Sequence, residues 1–313
     1  MLWYSFYFPY NVSIVVVYSK FCAQMARRNG PTLNDRRSAV ALLIRVVIYI
    51  PLFEFVRHYV YFDAMMDDYR WMSITSKATM MSVGVCTLLF FYIKYIVIFG
   101  FPRSWALLDN MSPHPLPACV CRIVLYSDHW RNFDRGIYEF FKNHIYLPIA
   151  KPDFSLTRRL FATVVSFTFV VVWHGSDRGV IVWIIMNTMG IVLETFVKAI
   201  YETHLKSWRE SNISDRWLRR FLGWLHIVPF AIGTYGIFYF LGGHRTGYVF
   251  VERIFWQENV PFRPLFWFLI AIGYFHCNVS MECDRLLELR ALKDFGEFIA
   301  DENRNQQRKT KSD

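Results

Sequence analysis

One histidine is set apart by its surroundings. His174 closes an apolar run and begins a short polar knot, Trp173-His174-Gly175-Ser176-Asp177-Arg178-Gly179, behind which a second apolar run starts. Ionisable groups are costly at membrane depth, so one held between two apolar runs is a functional candidate. A neutral imidazole near pH 7 takes a proton from an attacking hydroxyl or amine, which makes His174 a candidate general base. Position alone is weak support, because His226 and His276 also fall inside apolar segments. The neighbours strengthen it. Trp173 is an aromatic interface anchor, Gly175 and Gly179 permit tight backbone, and Asn187 and Glu194 bring polar groups into the next segment.

A second stretch also carries chemistry. In WRNFDRGIYEFFKNHIYLP, residues Trp130 to Pro148, the apolar positions Phe133, Ile137, Phe140, Phe141, Ile145 and Leu147 roughly follow helical spacing. Arg131, Asp134, Arg135 and Lys142 are interleaved with them. Two placements are open: an amphipathic helix lying on the membrane surface, or a segment that dips into the protein and carries Asp134 toward a cavity. The six cysteines are scattered, which reads as mostly reduced thiols, and Cys119-x-Cys121 lacks the second pair a zinc site needs; no metal is expected.

The elements that must position these groups are membrane helices. Of 313 residues 54% are hydrophobic, and they are grouped into stretches long enough to span a bilayer. The predicted spans are 38–61 (kinked near Pro51), 79–101, 159–173, 179–200, 221–241 and 264–281. Residues 1–37 read as an interfacial or re-entrant start, and 102–158 as a long connection with few clear spans. Residues 283–313 read as a charged tail, disordered beyond about Asp301. The net charge of +10 does not indicate nucleic acid, because the basic residues lie in the connections and not in one patch. Alternate connections carry 24 Lys and Arg against 6, which supports six spans with the tail in the cytosol and His174 at the opposite face. The fold class is all-α, a polytopic helical bundle with about six transmembrane helices plus re-entrant or interfacial helices. No inverted repeat argues for a transporter.

These residues carry a resemblance. VVVWHG, followed by a span with Asn187 and Gly190, looks like the signature of the membrane-bound O-acyltransferases, and WRNFDRGIYEFFKNHIYLPI resembles that family's second block. FFYIKYIVIFGFP, PLPACV and FYFLGG are similar to the hedgehog acyltransferase subgroup, and the likeness runs from YSFYFPY to about residue 282. The motif expected after YSFYFPY is altered, reading NVSIVVVYSKF. Full-length members begin with several further spans, so the chain reads as an amino-terminally shortened one, with 1–282 a partial catalytic domain.

The resemblance implies a multi-pass enzyme of the endoplasmic reticulum membrane, with the Golgi as the alternative. It would move a long acyl group, palmitoyl in this subgroup, from acyl-CoA to the N-terminal cysteine amine of a secreted hedgehog-like protein. It implies catalytic roles for His174 and Asp134. It places Trp130 and Arg131 beside the acyl-CoA, with Trp173 and Asn187 as further substrate-binding candidates. Cys119 falls where the subgroup has a cysteine implicated in haem binding; a buried or palmitoylated thiol is the plain alternative. Membrane lipids and the secreted acceptor are the implied partners. Two other functions are open: transfer to a lipid or sterol hydroxyl, and a catalytically inactive regulator or scaffold of the longer enzyme.

Overall fold

The computed structural model describes residues 2–11, 14–26, 30–120, 125–151, 153–257 and 264–309, with side chains described to residue 293. Every regular element among them is helical. Six helices are long and apolar enough to cross a membrane. We label them α1 (Leu33–Tyr59), α2 (Lys77–Leu108), α3 (Leu156–His174), α4 (Arg178–Ile200), α5 (Asp215–Val251) and α6 (Pro264–Lys309). Each predicted span falls on one of them, the first (38–61) overrunning the end of α1 by two residues.

The helix starts follow from local chemistry. Thr32 and Asp35 form a reciprocal capping box at the head of α1, and the Ser76 hydroxyl accepts from Thr79 N at the head of α2. Pro51 lies inside α1 without ending it. The most extensive packing joins α1 to α2 and α4 to α5, with α6 against α5 and α3 against α4. Large apolar side chains such as Val172, Met189, Phe221 and Phe275 remain exposed on the helix faces, as expected for surfaces that meet lipid.

Three predicted features are corrected. The predicted spans leave 242–263 as a connection, but α5 continues to Val251 across a break at Gly243 and passes into a π-turn, Glu252–Trp256. Val249, Phe250 and Ile254 are buried there against Met66, Met72, Met80 and Val83, so tertiary burial overrides the polar start of the segment. The connection between the first two predicted spans contains two short helices, Phe62–Asp67 and Tyr69–Ile74, whose methionines belong to the same core. The tail backbone stays helical through Lys309, so α6 runs across the expected domain boundary at residue 282.

The amino-terminal segment and the long connection form short, broken pieces. The first contains Leu2–Phe6, Phe8–Asn11 and Tyr18–Met25. The second contains Tyr126–Phe133, Arg135–Phe141, a π-turn over Lys142–Tyr146, and Leu147–Ala150. They are stitched together: Lys20 Nζ lies 2.5 Å from Glu139 Oε2, and a Cβ on Gly136 would meet the Val15 carbonyl oxygen at 2.3 Å.

Candidate active site

The Trp130–Pro148 segment does not lie flat on a surface. It breaks at Asp134, which ends the Tyr126–Phe133 helix and starts the next one, its Oδ1 accepting a hydrogen bond from Ile137 N at 3.0 Å. The break turns Trp130 and Asp134 inward. The Trp130 ring packs edge-on to Phe167 of α3 (centroids 4.9 Å) and against Trp183 of α4 (5.6 Å). Trp130 and Asp134 both line the cavity described below.

Two polar anchors hold the segment in place. Asn187, buried in α4, accepts from Trp130 Nε1 at 3.0 Å and donates from Nδ2 to the Trp183 carbonyl at 2.7 Å. Glu194, two turns further along α4, accepts from Tyr126 N at 2.6 Å and Ser127 N at 3.0 Å. It therefore satisfies the orphan N–H groups at the start of the Tyr126–Phe133 helix. Glu194→Ala leaves those donors without a partner, at a cost of about 1–3 kcal/mol. The expected outcome is a lower melting temperature of the purified protein, with Glu194→Gln, which keeps one acceptor oxygen, intermediate between the two.

His174 is placed by different means. Gly175 adopts φ +94°, which stops α3 immediately after the histidine and which a side chain would strain. Asp177 then caps α4 by accepting from Gly179 N at 2.9 Å. A Cβ on Gly179 would meet the Tyr239 carbonyl oxygen at 2.5 Å, so the start of α4 presses directly on α5. The His174 ring stands edge-on to Trp183 (5.4 Å) and to Phe240 of α5 (5.5 Å). Trp183 is thus shared: one side meets Trp130 and the other meets His174.

A cavity of about 430 Å³ joins the two stretches, and both Asp134 and His174 line it. The wall on α3 is a single helical face, Arg159, Thr163, Ser166, Phe167, Val170, Trp173 and His174. Fifteen residues separate its ends, so the face is about 22 Å long at the α-helical rise. On α3 Arg159 and His174 stand at opposite ends of this face, and on α4 Lys198 lies near the far end from Trp183; Arg131, Lys142 and Phe240 also line the cavity. The Asp134 carboxyl is pushed up from the ordinary carboxylate range by burial, against the Ile137 and Gly136 N–H groups that favour its charge. No hydrogen bond joins Asp134 to His174 among the described residues.

Of the other predicted site residues, Trp130, Arg131 and Trp173 line the cavity and Asn187 does not. Asn187 stands behind the wall and holds Trp130, so it reaches the chamber only through that ring. Arg131 pairs with Asp128 at 3.5 Å on the exposed side. Cys119 is a free, partly exposed thiol outside this cavity. Nothing observed among the described residues supports haem at this thiol; Cys121 lies outside the described residues. Sequence reasoning missed His129, Tyr95 and Phe91, which also line the cavity. An apolar span hides Phe91 and Tyr95, and His129 carried no signal beyond its place next to Trp130.

Residues 1–234 match the family model described as MBOAT, membrane-bound O-acyltransferase family. The chain is 29% identical over 287 residues to mouse protein-cysteine N-palmitoyltransferase HHAT, covering 88% of this chain and 55% of that protein. It is 27% identical over 249 residues to the Drosophila melanogaster protein-cysteine N-palmitoyltransferase Rasp, covering 79% and 49%. It is 27% identical over 184 residues to membrane-bound O-acyltransferase gup1 of Schizosaccharomyces pombe, covering 58% and 30%. The chain therefore spans about half the length of the first two relatives. With three quarters of its residues inside the family model, and with both polar blocks lining one cavity, the chain belongs to the membrane-bound O-acyltransferase family.

Proposed function

We propose that this chain is the chamber-forming part of an enzyme that transfers a long acyl group, palmitoyl, from acyl-CoA to the N-terminal cysteine amine of a secreted hedgehog-like protein. The observation that carries the reading is the chamber itself, whose wall holds Asp134 together with Arg159 and Lys198 toward one end of the α3 and α4 faces and His174 at the other. In this reading the cationic end faces the cytosol, where Arg131, Lys142, Arg159 and Lys198 meet the phosphates of CoA. The His174 end faces the lumen of the endoplasmic reticulum, where a secreted acceptor waits. The carboxy-terminal tail lies in the cytosol.

The chemistry then runs across the chamber. The acceptor nitrogen attacks the thioester carbonyl carbon and gives a tetrahedral oxyanion. His174 takes the proton from that nitrogen as general base. The C–S bond breaks, the amide forms, and the proton passes to the leaving CoA thiolate. Asp134 orients the reacting groups. Trp130, held by Asn187, and Trp173 bound the acyl path, and the apolar wall keeps water from the thioester.

The likeness to proteins described as protein-cysteine N-palmitoyltransferases, over most of this chain, supports the peptide acceptor. The test uses the full-length protein in membranes with palmitoyl-CoA and three acceptors: a peptide with a free N-terminal cysteine, the same peptide N-acetylated, and a lipid alcohol. The expected product is a palmitoyl amide on the first peptide, with the acetylated peptide at background. Transfer to the lipid alcohol alone sinks this reading.

A further inference from the structure

The chamber wall carries a second imidazole that the reaction described above leaves without a task. His129 stands beside Trp130 and Asp134 and lines the same cavity as His174. Its ring stacks on Phe133, with centroids 5.5 Å apart and planes 18° apart. Phe133 is stacked in turn on Phe91 of α2, at 5.8 Å and 5°. A stack occupies the faces of a ring and leaves its edge, and both imidazole nitrogens are on that edge. Among the described residues neither nitrogen has a side-chain or backbone partner.

Burial pushes the His129 pKa down to about 4, so the ring stays neutral through the physiological range, with one nitrogen a donor and the other an acceptor. A ring that resists protonation this strongly is a poor base. A neutral imidazole N–H is nonetheless a good partner for a carbonyl oxygen. His129 is partly buried and lines the cavity, so a ligand in the cavity can supply the acceptor for its N–H.

We propose that His129 is a substrate-contacting residue whose ring N–H donates to a carbonyl oxygen on the thioester–pantetheine arm of the acyl donor. The inference rests on the acyl-CoA reading. The parts of that ligand sort along the chamber. The phosphates belong at the cationic end, and the hydrocarbon chain offers no acceptor. The arm between them carries the thioester and amide carbonyls. His129 is also part of the same short helix as Arg131, which lines the cavity too, and its neighbour Trp130 meets Trp183, which touches His174.

The test compares His129→Phe, which keeps a flat ring on Phe133, with His129→Gln, which restores a donor, in the full-length protein. His129→Phe is expected to raise the KM for palmitoyl-CoA roughly 3–10-fold, the loss of one neutral hydrogen bond. The KM for the peptide acceptor should stay within about twofold, and His129→Gln should recover part of the loss. Binding of S-hexadecyl-CoA, which keeps the pantetheine amides and lacks the thioester carbonyl, locates the contact. Weaker binding by His129→Phe assigns an amide, and unchanged binding with a raised palmitoyl-CoA KM assigns the thioester. An unchanged palmitoyl-CoA KM, or an equal rise in both variants, overturns the proposal. Wild-type protein that transfers nothing from palmitoyl-CoA overturns the acyl-CoA reading instead, so the two failures are distinct.

Discussion

Replacing His174 with alanine is expected to lower acyl transfer by about 10²–10⁴-fold, the range for loss of a positioned general base. The fold should survive. His174 is the last residue of α3, it is exposed, and its ring makes only edge contacts to Trp183 and Phe240. The backbone turn that follows it belongs to Gly175, and the α4 cap belongs to Asp177, so neither depends on the imidazole. The loss should therefore appear in kcat, with donor binding at the far end of the chamber little changed and the melting temperature close to wild type. His174→Gln makes the comparison sharper, since it keeps hydrogen bonding and removes basicity; it should be as inactive as alanine. Turnover within twofold of wild type for both variants would remove His174 from the chemistry and leave the chamber without a base at that end.

The helices were legible because membrane spans are written in one-dimensional composition. A run of apolar residues of bilayer length has few other uses, and the alternation of Lys and Arg between runs adds an independent check. The ends were less legible. Residues 244–254 look like a polar loop by their start, His244-Arg245, yet Thr246, Val249, Phe250 and Ile254 are buried. What fills that site is the methionine cluster of Met66, Met72 and Met80, far away in sequence. The candidate site divides in the same way. His174 could be singled out because its flanking glycines and aromatic residue are adjacent in the chain. The role of Asn187 could not, because it depends on an indole 57 residues away. Glu194 read only as another polar group in a span; its function as the anchor of the Tyr126–Phe133 helix requires knowing which helix end arrives there. His129 was invisible for a related reason: the stack that fixes it joins a short helix to α2.

Asp134 presents the harder test, because it has two jobs that alanine would remove together. Its Oδ1 caps the Arg135–Phe141 helix through Ile137 N, and its carboxyl faces the chamber. Asparagine separates the two. As an N-cap it is about as good as aspartate, so Asp134→Asn keeps the turn that drives Trp130 inward and loses only the ionisable group. Asp134→Ala loses the cap as well, at about 0.5–2 kcal/mol. If the carboxyl takes part in the reaction, Asp134→Asn should lower turnover about 10²-fold or more while its melting temperature stays near wild type. Asp134→Ala should then match that loss in turnover and also melt earlier. If Asp134 only shapes the turn, Asp134→Asn should keep most of its activity and only alanine should fail. The double variant His174→Ala with Asp134→Asn adds a further constraint. Groups that serve one step lose their effects non-additively, so it should be little worse than His174→Ala alone. Losses that multiply would instead place the two residues in separate steps, despite the single cavity they share.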